Sequence, residues 1–219
     1  MVPKDIILVS DSEILKIPIQ DNGDVLVDIK DYPEIFTDDS EEDKNPLLFK
    51  LRKSVLEKLL EASRRLPTNT HFLVTEGYRP LYIQKEYFEE YRNKLLKMHP
   101  DWSKEHLYEE VSKYVASPDI TPPHSTGGAV DLTLVDDSGS KLDMGVVENL
   151  SPEESKDACF TMADSISDTA KDNRKVLIDA MSKAGFVNYP TEYWHWSYGD
   201  RYWAYHKKQA FAVFGSCKK

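Results

Sequence analysis

Between Ser117 and Val135 the chain has few conformational options. Pro118, Pro122 and Pro123 fix φ and remove backbone donors, so 117–123 is neither helix nor central strand. His124-Ser125-Thr126-Gly127-Gly128 follows, and then Ala129–Val135, an apolar run that reads as a buried strand. In such a strand Val130, Leu132 and Leu134 point one way and Asp131 the other. A carboxylate at the centre of an apolar strand is costly unless it is paired or bound to a cation. Gly127 and Gly128 allow the chain to fold back so that His124 meets Asp131 on the same side. Two readings fit this stretch: a loop histidine beside an internal salt bridge, or part of a metal site, since zinc accepts imidazole nitrogen and carboxylate oxygen.

The rest of the 219 residues predicts one α+β domain, an antiparallel sheet carrying the site with helices packed on one face. Residues 1–46 read as two or three short strands and a loop, at Ile6–Val9, Ile14–Ile19 and Val25–Ile29. Residues 47–116 read as mainly helical and packed behind the sheet. From Leu48, the spacing of Leu51, Val55 and Leu59 predicts a helix ended by Pro67, and Ile83, Tyr87, Tyr91, Leu95 and Met98 predict another over 81–98. A third is expected over 103–115, and His71–Thr75 between the first two as a buried strand. Residues 117–219 hold the metal-site strands, an irregular stretch at 136–167 bordering the pocket, and a last helix through Val176 and Ala184 capped by Gly185. After it, Tyr193–Trp196, a Gly199-Asp200 turn and Tyr202–Tyr205 suggest a hairpin.

Two further clusters bear on chemistry. In Glu192-Tyr193-Trp194-His195-Trp196 the two tryptophans share one strand face and read as core, leaving Tyr193 and His195 on the other. A regular strand aims Glu192 away from His195, whereas an irregular entry after Pro190 swings it toward the same site. In Glu76-Gly77-Tyr78-Arg79-Pro80, Arg79 either directs a fixed charge at a developing oxyanion or simply pairs with Glu76.

Together, Gly77-Tyr78-Arg79-Pro80, His124-x6-Asp131 and Glu192-x-x-His195 resemble the zinc D-Ala-D-Ala metallopeptidases, in an order and spacing similar to the D-alanyl-D-alanine dipeptidases of the vancomycin-resistance type. The resemblance spans most of 70–200. It implies one Zn2+ per chain on His124, Asp131 and His195, with Glu192 as catalytic base and Arg79 stabilising the tetrahedral intermediate. It implies a small D,D-dipeptide substrate, D-Ala-D-Ala, cleaved into two D-alanines. The chain departs from the pattern after Asp143-Met144-Gly145, where a Phe-Asp pair that holds the substrate ammonium is replaced by Val146-Val147-Glu148-Asn149-Leu150. Glu148 is the substitute acid offered there. Thr121-Pro122-Pro123 also stands where the family more often has a substrate-contacting Ser. Two alternatives remain: a zinc D,D- or L,D-carboxypeptidase acting on peptidoglycan stem peptides, and a non-catalytic zinc module on the same fold that binds a partner protein.

Composition narrows the partners. With 28 basic against 38 acidic side chains, the net charge of −10 disfavours nucleic acid and anionic membrane surfaces. No apolar run is long enough to span a bilayer, and Ile6–Val9 is too short for a secretory leader, so the expected compartment is the cytoplasm. Cys159 and Cys217 form no Cys-x-x-Cys pair, which restricts metal ligands to His, Asp and Glu. His71, His99, His106 and His206 read as structural or exposed. The sequence leaves the oligomeric state open.

Overall fold

The computed structural model describes residues 6–217; of the N-terminal stretch read above, residues 1–5 lie outside them. In chain order the elements are helix α1 (Ser12–Leu15), strands β1 (Leu26–Asp28), β2 (Phe36–Thr37) and β3 (Lys50–Arg52), helix α2 (Lys53–Ser63), strand β4 (Thr70–Glu76) and helices α3 (Leu81–Met98) and α4 (Lys104–Ser112). Strand β5 (Ala129–Asp136), helices α5 (Pro152–Ser155) and α6 (Asp168–Lys183), strands β6 (Val187–Tyr189) and β7 (Glu192–Ser197) and helix α7 (Arg201–His206) complete the α+β fold. No helix among the described residues is long and apolar enough to cross a membrane.

Five strands form the main sheet in the order β2-β4-β5-β7-β6, antiparallel except where β2 joins β4. That parallel edge follows from the connection: β3 and α2 intervene between β2 and β4, a crossover long enough to bring the chain back in the same direction. Val130, Leu132 and Leu134 are fully buried on the sheet face covered by α2 and α6, where they meet Leu56, Leu59, Leu177 and Met181. Helix α6 ends as expected. Gly185 takes φ +101°, Gly185 N–H donates to Ser182 O, and Phe186 N–H donates to Met181 O, the paired bonds that satisfy a helix's last carbonyls.

Four expectations are corrected. Leu51 does not begin a helix: Lys50–Arg52 is a strand paired with β1, and α2 starts at Lys53. Among the N-terminal runs, Ser12–Leu15 is a helical turn held by the Asp11 side chain, and only Leu26–Asp28 of the three expected segments is a strand. The aromatic run after Gly199 is helix α7, because Asp200 accepts from Trp203 N–H at 2.8 Å and caps a helix start; the hairpin partner of β7 is β6 instead. The stripe on α3 is also different. Its buried side chains are Ile83, Gln84, Phe88 and Leu95, Met98 is exposed, and Tyr87 and Tyr91 line a cavity. Of the helical stretch, α2 packs behind the sheet, while α3 and α4 share a separate apolar cluster and α3 frames that cavity.

Candidate metal centre

One row of residues crosses three neighbouring strands. Glu76 of β4 pairs with Asp131 of β5, which pairs with His195 of β7. Residues directly opposite in antiparallel strands share a face, so all three side chains emerge together, away from the Leu132 core. A register shift between Val74 and Glu76 brings Glu76 into this row. His124 comes from a 3-10 turn at Pro123–Thr126. Gly127, at φ +69°, ends that turn in the left-handed conformation and returns the chain to β5.

The donor atoms converge. His124 Nε2 lies 3.0 Å from His195 Nδ1 and 3.2 Å from Asp131 Oδ1, and His195 Nδ1 lies 2.9 Å from Asp131 Oδ1. For zinc bonds of about 2.0–2.2 Å, tetrahedral ligand atoms stand roughly 3.3 Å apart, so this triangle has the size of three such ligands. All three residues are buried. The carbonyl of Gly77 lies 2.7 Å from His124 Nδ1 and can only accept, which puts a proton on Nδ1 and leaves Nε2 a bare lone pair in the neutral ring. Burial opposes the charge on Asp131, yet His124 and His195 hold its carboxyl far below the usual range. Burial likewise opposes the charge on His124, but the attraction of Asp131 outweighs it and raises the imidazole. Such a set of donors fits a divalent cation.

Glu192 opens β7 where the strand is irregular. The β6–β7 register shifts between Asn188 and Tyr189, and β7 pairs with β5 at His195 and beyond. Glu192 thereby swings toward the site, its Oε2 3.9 Å from His195 Nδ1. Burial pushes its carboxyl up to about 7; His195 and Arg79 oppose the rise, and Asp131 and Glu76 add to it. The same irregularity alters the expected strand faces. Trp194 and Trp196 are both core as expected, Trp194 also borders the cavity, and Tyr193 joins the core beneath the Arg174 guanidinium.

Arg79 takes the Glu76 pairing and also faces the cavity. Its Nε donates to Glu76 Oε1 at 2.6 Å, an Nη closes a second bond to the same carboxylate, and the other Nη donates to Gln84 Oε1 at 3.0 Å. Its guanidinium also covers the Tyr87 ring and lines the cavity with His124, Asp131, Glu192 and His195. Two of its five N–H groups remain outside these bonds. The structure does not bring Glu148 to this cavity: its carboxylate binds Lys141 Nζ at 3.0 Å and accepts from Tyr193 O–H at 3.1 Å. Gln84 belongs to no motif of the sequence. It is buried, takes one Arg79 N–H, and donates to Ala116 O at 2.8 Å; a single polar residue beside Ile83 on an amphipathic helix is its only trace.

Gly77 holds a further clue. A Cβ there would stand 2.7 Å from Lys50 O and 2.9 Å from Leu48 O, both backbone atoms. Gly77→Ala is therefore expected to cost about 1–3 kcal/mol, as overpacking does, and to displace the carbonyl that orients His124. Urea unfolding of the variant would show it; an unchanged midpoint would contradict the close approach.

Two imidazoles, a carboxylate and a neighbouring glutamate on a cavity wall make a candidate metal centre of the metallopeptidase kind. A family model described as D-Ala-D-Ala dipeptidase matches residues 38–214, and the chain belongs to that family. A D-alanyl-D-alanine dipeptidase of Synechocystis is 30% identical over 89% of this chain and 90% of its own length. Another from Enterococcus faecium is 33% identical over 64% of this chain and 68% of its own. Among solved structures, the LD-carboxypeptidase LdcB aligns with 89% of this chain and 77% of its own at a TM-score of 0.49 and 18% identity.

Proposed function

We propose that the protein hydrolyses free D-Ala-D-Ala to two D-alanines, using one zinc ion held by His124, Asp131 and His195. The observation that carries this reading is the triangle of donor atoms about 3 Å on a side, in a chain whose family model is described as a D-Ala-D-Ala dipeptidase. Zinc, when bound, supplies Lewis acidity that makes water nucleophilic near neutral pH and polarises the peptide carbonyl. Glu192 takes a proton from the attacking water and returns it to the leaving amine nitrogen. A carboxyl raised to about 7 suits both transfers at neutral pH. Arg79, locked by Glu76 and Gln84, keeps two N–H groups for the oxyanion and pays no reorganisation when charge develops there. Trp194, Tyr189 and Pro123 line the site and give it apolar walls beside the reacting bond.

One observation favours the carboxypeptidase reading. The cavity encloses about 580 Å³ and continues along α3 to Lys94 and Glu154, further than a free dipeptide needs. The two readings separate in one assay. The purified protein is expected to carry one zinc per chain and to release ninhydrin-detectable D-Ala from D-Ala-D-Ala, with chelation abolishing release and zinc restoring it. Release from a pentapeptide stem but not from the dipeptide would replace the first reading by the second. Stoichiometric zinc with no release from either would end both.

A further inference from the structure

The two histidines of the centre are held differently. Each presents one ring nitrogen to the donor triangle, and the opposite nitrogen must carry the proton if the first is to offer a lone pair. For His124 that opposite nitrogen meets the Gly77 carbonyl at 2.7 Å. For His195 the opposite nitrogen is Nε2, and the group near it is the Ser197 hydroxyl at 3.5 Å. Ser197 lies two residues along β7, on the same side of the strand as His195, and is fully buried.

A hydroxyl can donate or accept, so alone it does not select which nitrogen of His195 carries the proton. A carboxylate behind it does, because an ionised carboxylate only accepts. Asp200 is that carboxylate. It is 2% exposed, its Oδ1 accepts from Trp203 N–H at 2.8 Å, and its Oδ2 is buried without a hydrogen-bond partner among the described residues. Burial raises the Asp200 carboxyl, while the Ser197 hydroxyl, the Trp203 N–H and the fields of His195 and His124 pull it back. A buried, half-satisfied carboxylate is expensive as a helix cap alone, since an exposed Asp would cap as well.

We propose that Asp200 is a positioning residue for the metal centre. The Ser197 hydroxyl donates to its Oδ2, His195 Nε2–H donates to the Ser197 oxygen, and His195 Nδ1 is left with its lone pair facing Asp131 and His124. The proposal rests on His195 being a metal ligand, as proposed above. It extends that reading to two residues on the far side of the ring, which touch neither substrate nor the reacting atoms.

The test uses the apo full chain titrated with Co2+ alone, followed by the visible absorption of the bound ion. Ser197→Ala removes the link and leaves the cap. Asp200→Asn keeps an Oδ1 acceptor for Trp203 and removes the charge. Each is expected to weaken Co2+ binding 10- to 100-fold and to shift the absorption band, as loss of a partner behind a ligating histidine does. The apo protein's thermal midpoint is recorded for each variant, and Co2+ is titrated well below it, so that a loss of affinity is not a loss of fold. In the double variant the loss should not exceed that of the worse single one, because both act through one chain of hydrogen bonds. Wild-type Co2+ affinity and spectrum in both single variants, with binding lost in His195→Ala, would overturn the relay and leave the centre standing. Losses that multiply in the double variant would also overturn it. Wild-type binding in His195→Ala would instead remove the ligand assignment beneath it.

Discussion

Glu192→Gln is expected to lower kcat on D-Ala-D-Ala by about a hundred- to ten-thousand-fold while leaving zinc content and affinity unchanged. The substitution keeps the shape of the side chain and one carbonyl oxygen, and removes only the capacity to take a proton. Its separation from the donor atoms decides the second half of the prediction. Oε2 stands 3.9 Å from His195 Nδ1, whereas the three donor atoms lie 2.9–3.2 Å from one another. Glu192 is thus beside the triangle and outside it. The acid limb of kcat/KM in the wild type should report this carboxyl, because activity falls as pH drops and the base is protonated. The limb is expected at or below about 7, the value set by burial, since a nearby cation favours the ionised form. Zinc loss in the variant would make Glu192 a ligand, and more than a tenth of wild-type kcat would deny it the role of base.

Local anomalies in the sequence marked the candidate centre without deciding it; the ordered set of motifs, through its resemblance to the D-Ala-D-Ala metallopeptidases, singled out the ligands. Asp131 stands in an otherwise apolar strand, Gly127-Gly128 interrupts between a histidine and that strand, and Glu192 follows a proline at a strand entry. The structure brings His124, Asp131, His195, Glu192 and Arg79 to one cavity. Glu148 illustrates what pattern cannot supply. Its charge suited an ammonium, but its direction depends on Lys141 and Tyr193, which lie 7 and 45 positions away in the chain. Periodicity failed where one helix serves two surfaces. On α3 the tyrosines that looked like core line a cavity, and the buried polar Gln84 occupies the core-facing stripe because Arg79 and Ala116 satisfy it. It failed again at Tyr202–Tyr205, where aromatic residues suggested a strand and the Asp200 cap imposed a helix. The parallel edge of the sheet was likewise invisible, since only two residues, Phe36 and Thr37, make it.

Arg174→Met is expected to destabilise the folded protein by about 3–5 kcal/mol, the combined cost of leaving buried carbonyls without donors. Arg174 rises from α6 into the irregular stretch between β5 and α6 and is 2% exposed. Its partners are carbonyls. Nε and Nη2 both donate to Met144 O, at 2.9 and 2.6 Å, and the remaining bonds reach Ala158 O at 2.8 Å, Phe160 O at 2.6 Å and Thr161 O at 3.4 Å. The ring of Tyr193 covers its other side at 4.3 Å. Burial lowers the pKa of this guanidinium, but an arginine remains charged throughout the neutral range. One side chain therefore ties two ends of a segment that otherwise has only α5 as regular structure, and Tyr193 O–H adds a bond to Val146 O at 3.0 Å. Methionine fills much of the volume and leaves the Met144, Ala158 and Thr161 carbonyls without these donors, each worth about 1–3 kcal/mol if water cannot reach it, while Phe160 O keeps the Ala163 N–H at 2.9 Å. Arg174→Lys should recover only part of the loss, because an ammonium cannot fork across carbonyls from both ends of the segment. At this chain length the methionine variant's thermal midpoint should fall by roughly 10 °C. KM should rise as well, since Asn149, Leu150 and Ser151 of the same segment line the cavity. A methionine variant within about 1 kcal/mol of wild type in urea unfolding would show that the carbonyls find other donors, and that the segment does not depend on Arg174 for its place beside the metal centre.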